Sequence, residues 1–337
     1  MKFFQHQARA RRHTLKLLLL MALAVTCLIA LTSLGMGLLL RELMQEYHKP
    51  KVLDWRIVGV VALLILSVVL LGSWYKRWQL RAGGKVIAEQ LGGRLISPSP
   101  RDNPERRLLN IVEEMALASG SHVPAVYVLP DAGINAFAAG LDPEHAVLGV
   151  TRGAITRLNR DELQGLIAHE FSHIHNGDMR LNTRLLSVIH GLLVFSLAGV
   201  FVLREAERQH LSSDRDRFIW QIVFAVVGLA LLTVGSIGSL FGHLIKAAIN
   251  RQREFLADAS AVQFTRSPLG ITDALKKVGG CPTGSKLSAF SAAQYSHMYF
   301  CQGVRSRFGR WLDTHPPLDE RIRRLDPHWN GQFISTP

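Results

Sequence analysis

Four stretches of this chain run without a Lys, Arg, Asp or Glu: Leu17 to Leu40, Ile57 to Tyr75, Leu185 to Leu203 and Ile219 to Leu240. At ~1.5 Å per residue, each is long enough as a helix to cross a hydrocarbon layer about 30 Å thick. Buried helices of globular proteins rarely run so far without a charge, so four transmembrane helices are expected, arranged as two hairpins. The first is preceded by Lys2, Arg9, Arg11, Arg12 and Lys16, as a signal peptide would be. Its apolar core exceeds the roughly 7 to 15 residues of a secretory signal, which makes it a retained anchor.

Between the hairpins lies a stretch marked as a helix at both ends. Asn159 can cap it, Glu162 can reach back to close the cap, and Asn176-Gly177 supplies the left-handed residue that stops it. Leu163, Leu166, Ile167, Phe171 and Ile174 form its apolar stripe. His169 and His173 are four residues apart, so their imidazoles share a face one turn apart and can bind one ion. Glu170 completes a His-Glu-x-x-His arrangement, in which the Glu acts as general base toward water rather than as a ligand.

A catalytic zinc needs three protein ligands and an open position. After the fourth apolar block comes a helical pattern, Asn250 to Ala259, in which Glu254 and Asp258 share a face. Glu254 is the expected third ligand, and Asp258 is expected to accept the spare N–H of a ligand histidine and fix its tautomer. Read by itself, that segment is an exposed charged helix with an Arg-Glu pair. The assignment requires His173 and Glu254 to lie on one side of the membrane, and the two intervening spans allow it. The balance of Lys and Arg between the two sides is slight, and it favours a cytoplasmic site.

The remaining segments predict an α+β, mainly helical protein. A helix is expected from Lys76 to Gln90, a short strand at Arg94 to Ser97, and a helix capped by Asn103-Pro104 and closed at Gly120. Val123 to Leu129 and Ala146 to Thr151 read as strands separated by residues 131–144. The domains expected are an N-terminal transmembrane hairpin (1–75), a peptidase core (76–183), a second hairpin (184–242) and a C-terminal part with the third ligand (243–337). Gly238 and Gly242 are spaced for close helix packing, and His190 and His243 read as packed or hydrogen-bonded membrane histidines. Cys27, Cys281 and Cys301 have no metal or disulfide spacing. The net charge of +13 suits a basic face toward anionic lipid. Nucleic-acid binding is not expected, since no aromatic interleaving or motif accompanies the basic residues.

Five separated stretches carry a family resemblance: Ile134 to Ala138, Asp161-Glu162-Leu163, His169 to Asp178, Arg253 to Ala259, and Thr314 to Arg321. In these the chain resembles the HtpX-type integral-membrane zinc metallopeptidases, related to the prenyl-protein endopeptidases, over roughly Arg77 to Pro327. The resemblance implies a zincin-like core and one zinc per chain held by His169, His173 and Glu254. It implies that Glu170 is catalytic, that Asp258 and Asn176 support the site, and that the enzyme is a multi-pass protein of the bacterial inner membrane. It also implies that Asn135, Ala136, Phe137 and Ala138 form an edge along which substrate lies extended. From residues alone, that segment is equally a turn with an Asn bonding its own backbone. His315, or else Arg321, is implied to approach the oxyanion formed in the reaction.

Residues 279–311, including Cys281, Tyr295, His297, Met298, Tyr299 and Cys301, are an insertion that the shared motifs do not explain: a lid, a substrate wall or a surface loop. The chain stops at Pro337 soon after the last motif, and no further domain is expected. The function expected is an endopeptidase acting on protein or peptide substrates, chiefly misfolded membrane proteins, with the oligomeric state left open. A prenylated-peptide protease needs an enclosed chamber that four spans are too few to build. A zinc-stabilised scaffold or chaperone does not require Glu170, and a solute carrier needs ionisable groups at the middle of its spans.

Overall fold

The computed structural model describes residues 3–48, 54–80, 83–208, 215–285, 298–301 and 313–335. In chain order it begins with α1 (Phe3–His48), α2 (Trp55–Gln79), α3 (Gly83–Gln90), β1 (Arg94–Leu95), α4 (Asn103–Ser119) and β2 (Ala125–Leu129). Then come β3 (Ala136–Ala139), β4 (Val147–Thr151), α5 (Arg152–Arg157), α6 (Arg160–His175) and α7 (Asp178–Arg208). The last elements are α8 (Arg215–Thr265), α9 (Leu269–Gly280) and α10 (Leu318–Leu325). The chain divides into two compact units, one of residues 17–79 and 184–245, the other of residues 1–16, 80–183 and 246–337.

The first unit is built from α1, α2, α7 and α8, the four helices long and apolar enough to cross a membrane. Leu19, Leu31, Leu63 and Phe201 stand mostly exposed on its surface, which suits contact with lipid rather than water. Trp55, Trp74 and Trp78 are exposed near the ends of α2, the depth where indole rings favour the membrane boundary. α7 and α8 touch backbone to backbone. A Cβ on Gly199 would come 2.4 Å from Leu232 N, and one on Gly235 2.5 Å from Ser196 N, so small residues set this packing. Gly238 and Gly242 meet the side chains of Leu28 and Ile189 in the same way. The His190 ring stacks on Tyr75.

The second unit holds a four-stranded sheet in the order β1-β2-β4-β3. β2 and β4 pair in parallel, and β1 and β3 flank them antiparallel. Every residue of β4 is buried, as expected of a valine-rich strand covered on both faces. On one face Val126, Val128, Leu148 and Val150 pack with Leu108, Ile111 and Met115 of α4 and with the apolar stripe of α6. On the other, Tyr127, Leu129, Phe137 and Val147 pack with Ala88 and Leu91 around α3 and with Tyr299. Gly149 has no room for a side chain, because a Cβ there would lie 2.1 Å from the Phe137 ring across the strand pair.

Several local expectations need correction. The helix expected from Lys76 to Gln90 is two, since α2 runs to Gln79 and α3 begins at Gly83. α4 is capped at Asp102 with no side-chain bond, so Asn103 is its first residue rather than its cap; Gly120 closes it at φ +66 as expected. Residues 131–144 are not only a connection, for they contain β3. The helical pattern after the fourth span is not separate: α8 continues unbroken through Glu254 to Thr265.

Candidate metal centre

α6 starts where Asn159 Oδ1 accepts the Glu162 N–H at 2.9 Å and Glu162 Oε2 accepts the Asn159 N–H at 2.8 Å, the reciprocal cap the sequence predicts. It stops at Asn176, followed by Gly177 at φ +67. Leu163, Leu166, Ile167, Phe171 and Ile174 are all fully buried. α9 lies directly against it, because a Cβ on Gly165 would come 2.3 Å from Ile271 N. Packed against α4 and α9, the helix holds His169 and His173 in place.

His169 Nε2 and His173 Nε2 face each other at 3.1 Å. Glu254, brought from α8, places Oε2 3.6 Å from the first and Oε1 3.5 Å from the second. The outward nitrogens are taken: His169 Nδ1–H donates to Asp258 Oδ1 at 2.9 Å and His173 Nδ1–H donates to Asp178 Oδ2 at 2.7 Å. In the neutral rings that a metal ion requires, these bonds fix the Nδ1–H tautomer and leave both Nε2 atoms as acceptors. Three possible ligand atoms then converge. Ligand atoms on a tetrahedral zinc, at ~2.0 to 2.1 Å from it, stand about 3.3 Å apart, close to the spacing found here. The residues fit zinc.

The local field favours a cation as well. Burial works against a charged imidazole, but hydrogen bonds to Asp258 and Glu254 outweigh it and raise the pKa of His169. Bonds to Asp178 and Glu254 raise His173 well above its ordinary value. Glu170 is fully buried, and neither carboxylate oxygen has a hydrogen-bond partner among the described residues. Burial pushes its pKa up, opposed by the positive charge of the two imidazoles. An unpartnered buried carboxylate is costly to keep, which marks it as a group held for chemistry.

His315 is buried with Nδ1 3.2 Å from Glu254 Oε2. Arg321, wholly buried, donates to Asp258 through Nε at 2.9 Å and Nη2 at 2.6 Å, and to Phe300 O through Nη1 at 2.7 Å. Two of its nitrogens thus hold Asp258, while Nη1 also lies 3.4 Å from Glu254 Oε2. Asn176 lies behind the site, bonded to Ser172, and its carbonyl accepts from Arg253 Nη2 at 3.2 Å. Arg253 also pairs with Asp178. Sequence reasoning missed the roles of Asp178 and Arg253. The available signal was an acidic residue placed just past the glycine that stops the histidine helix, with an arginine directly preceding Glu254.

β3 forms one edge of the sheet. Asn135 Nδ2 donates to Ser285 O at 2.8 Å and Cys301 O at 3.2 Å. Ala136 O accepts the Phe300 N–H at 2.8 Å, and Phe137 is bridged to Tyr299. The outer side of β3 is thus paired with residues 299–300, and Phe137 is packed over Gly149. Phe300 also sets its ring edge-on to His169 at 5.0 Å. The cleft beside His173 and Glu254, bounded by Ala138 and Met298, has a volume of ≈ 20 Å³, room for about one water. Cys281 and Cys301 are buried thiols outside any disulfide among the described residues, and burial, against the opposing charge of Arg321, pushes Cys301 up to about 12. Tyr295 and His297 lie outside the described residues.

Residues 102–328 match peptidase family M48. A protein named Protease HtpX homolog from Lactobacillus acidophilus is 36% identical over 228 residues, covering 67% of this chain and 74% of its own length. A homolog of the same name from Caldanaerobacter subterraneus subsp. tengcongensis is 36% identical over 282 residues, covering 81% and 85%. The crystal structure of S. mikatae Ste24p is a more distant likeness, with a TM-score of 0.41 and 17% identity over 92% of this chain and 66% of that one.

Proposed function

The chain belongs to peptidase family M48 and is an integral membrane protease of HtpX-like sequence; from that premise we propose that it is a zinc-dependent endopeptidase with Glu170 as its general base. One zinc per chain would be held by His169, His173 and Glu254, and when bound it would supply a Lewis acid that polarises a scissile carbonyl and acidifies water. The observation that carries this reading is the convergence of two imidazole nitrogens and a carboxylate at 3.1 to 3.6 Å beside a buried carboxylate with no hydrogen-bond partner among the described residues.

Glu170 takes the proton of the attacking water and returns it to the leaving amine. Asp258 and Asp178 hold the two imidazoles in the tautomer that points Nε2 inward. With Arg321 engaged by Asp258, the oxyanion role falls to His315. A peptide would add as a strand along Asn135 to Ala138, and to reach Ala136 O it must displace the Phe300 N–H now bonded there. The substrates proposed are misfolded membrane proteins, cleaved on the cytoplasmic side of a bacterial inner membrane. α7 begins at Asp178 and α8 carries Glu254, so the two apolar helices are continuous in sequence with residues of the site.

The test uses wild type and Glu170→Gln purified in detergent, chelated and then given zinc, with self-cleavage and casein degradation followed. Zinc-restored cleavage by wild type alone is expected. Equal cleavage by both would overturn the role of Glu170, and cleavage that persists under chelation would overturn the zinc chemistry.

A further inference from the structure

Each ligand histidine has a carboxylate behind it, and each carboxylate has an arginine behind it. The chain of contacts on one side is Arg321, Asp258, His169; on the other it is Arg253, Asp178, His173. The two differ in how firmly they are built. Arg321 is 1% exposed, grips Asp258 with two donors, bonds the Phe300 carbonyl and lies 4.9 Å over the Phe300 ring. Arg253 and His173 keep 11% and 13% of their side-chain surface exposed. Asp178 is the first residue of α7, directly after the left-handed Gly177, so its place depends on the turn that leaves α6. Arg253 steadies that turn as well as the carboxylate, since its Nη2 reaches the carbonyl of Asn176, the residue closing α6.

We infer that Asp178 and Arg253 are positioning residues for His173, and that this arm sets how readily the metal leaves. The inference rests on the zinc reading above. Asp178 fixes the Nδ1–H tautomer of His173 and so keeps Nε2 bare toward the metal. Arg253 holds Asp178 in place by pairing with it, and ties the end of α6 to α8 one residue before Glu254. Loosening it therefore disturbs two ligands while leaving the Arg321 arm intact. Groups standing behind a metal-bound histidine typically change metal affinity by about 10- to 100-fold.

The test measures zinc affinity by chelator competition in detergent for wild type, Arg253→Met, Arg253→Lys, Asp178→Asn and Asp258→Asn. Thermal unfolding of each chelated protein and the visible spectrum of each after Co²⁺ loading are recorded alongside. Arg253→Met and Asp178→Asn are expected to lose about 10- to 100-fold in affinity, chiefly through faster release, with a changed Co²⁺ spectrum and chelated unfolding temperatures close to wild type. Arg253→Lys should recover part of the loss. The inference is overturned if Arg253→Met and Asp178→Asn bind zinc as tightly as wild type, or if their weaker binding comes with a matching collapse of the chelated fold. If wild type itself fails to bind one zinc, the zinc reading fails instead, and that result is distinct.

Discussion

The two compact units lean on different kinds of polar bond, although Ser196 reaches Leu232 O and Ser236 across the membrane helices and Thr156, Thr265 and Thr272 bond locally in the other unit. In the membrane unit, Thr26, Thr32, Ser33, Ser67, Ser73 and Thr233 each donate to the carbonyl four residues earlier in the same helix. In the peptidase unit the decisive bonds span long stretches of chain, with His169 to Asp258 at a separation of 89, Arg321 to Asp258 at 63 and Asn135 to Cys301 at 166. Lipid offers no water to an unpaired group, so the local carbonyl is the safe partner. A metal site needs the reverse, because ligands from distant segments can meet only if the whole fold brings them together. One unit therefore loses little when a polar side chain is removed, and the other loses its function.

The largest expected effect is at the group that follows neither pattern. Glu170→Gln should lower activity by about 10²- to 10⁴-fold while leaving metal content unchanged, measured as turnover of an unfolded substrate. Its raised pKa gives a second readout. The folded carboxyl holds its proton more tightly than the unfolded one, so the fold gains at low pH and loses that gain as pH rises through the folded value. Chelated wild type should fall behind Glu170→Gln in unfolding temperature as pH rises above 4.5, and the two should converge below it.

Next in size is Arg321→Met, which leaves Asp258 buried without its cation and should destabilise the peptidase unit by about 3 to 5 kcal/mol, read by denaturant or thermal unfolding. Gly165→Ala and Gly199→Ala set the units side by side, since in each a Cβ would press on backbone, at 2.3 Å from Ile271 N and 2.4 Å from Leu232 N. Both should cost about 1 to 3 kcal/mol; equal losses would mean that helix contact, unlike polar pairing, is built alike in both units. The smallest change belongs to Thr32→Ala, which removes a bond within one helix and should cost no more than about 1 kcal/mol. A loss as large as that of Arg321→Met would break the comparison.

The same contrast explains what was legible in the sequence. The apolar blocks, the Asn159 to Glu162 cap and the histidines one turn apart are local patterns, and the structure has them at the expected residues. Glu254 was within reach because a zinc site asks for a third ligand and the carboxylate lay on a patterned helix. Arg253 and Asp178 left only a local trace, an acid just past Gly177 and an arginine directly before Glu254, and that trace does not tell that an arginine on α8 reaches the turn after α6. β3 came only as an edge implied by the resemblance and not as a strand read from its residues, for a related reason: Ala136, Phe137, Ala138 and Ala139 are all buried, so no alternation marks them. Their pairing with β4 and with residues 299–300 is a property of the assembled sheet.

The central claim is that ligands from α6 and α8 hold one metal ion together. Zinc per chain, measured by elemental analysis after dialysis of wild type, Glu170→Gln and Glu254→Ala, tests it most directly. One zinc in wild type and in Glu170→Gln, with little or none in Glu254→Ala, is the expected result. A full zinc retained by Glu254→Ala, at wild-type affinity, would contradict it.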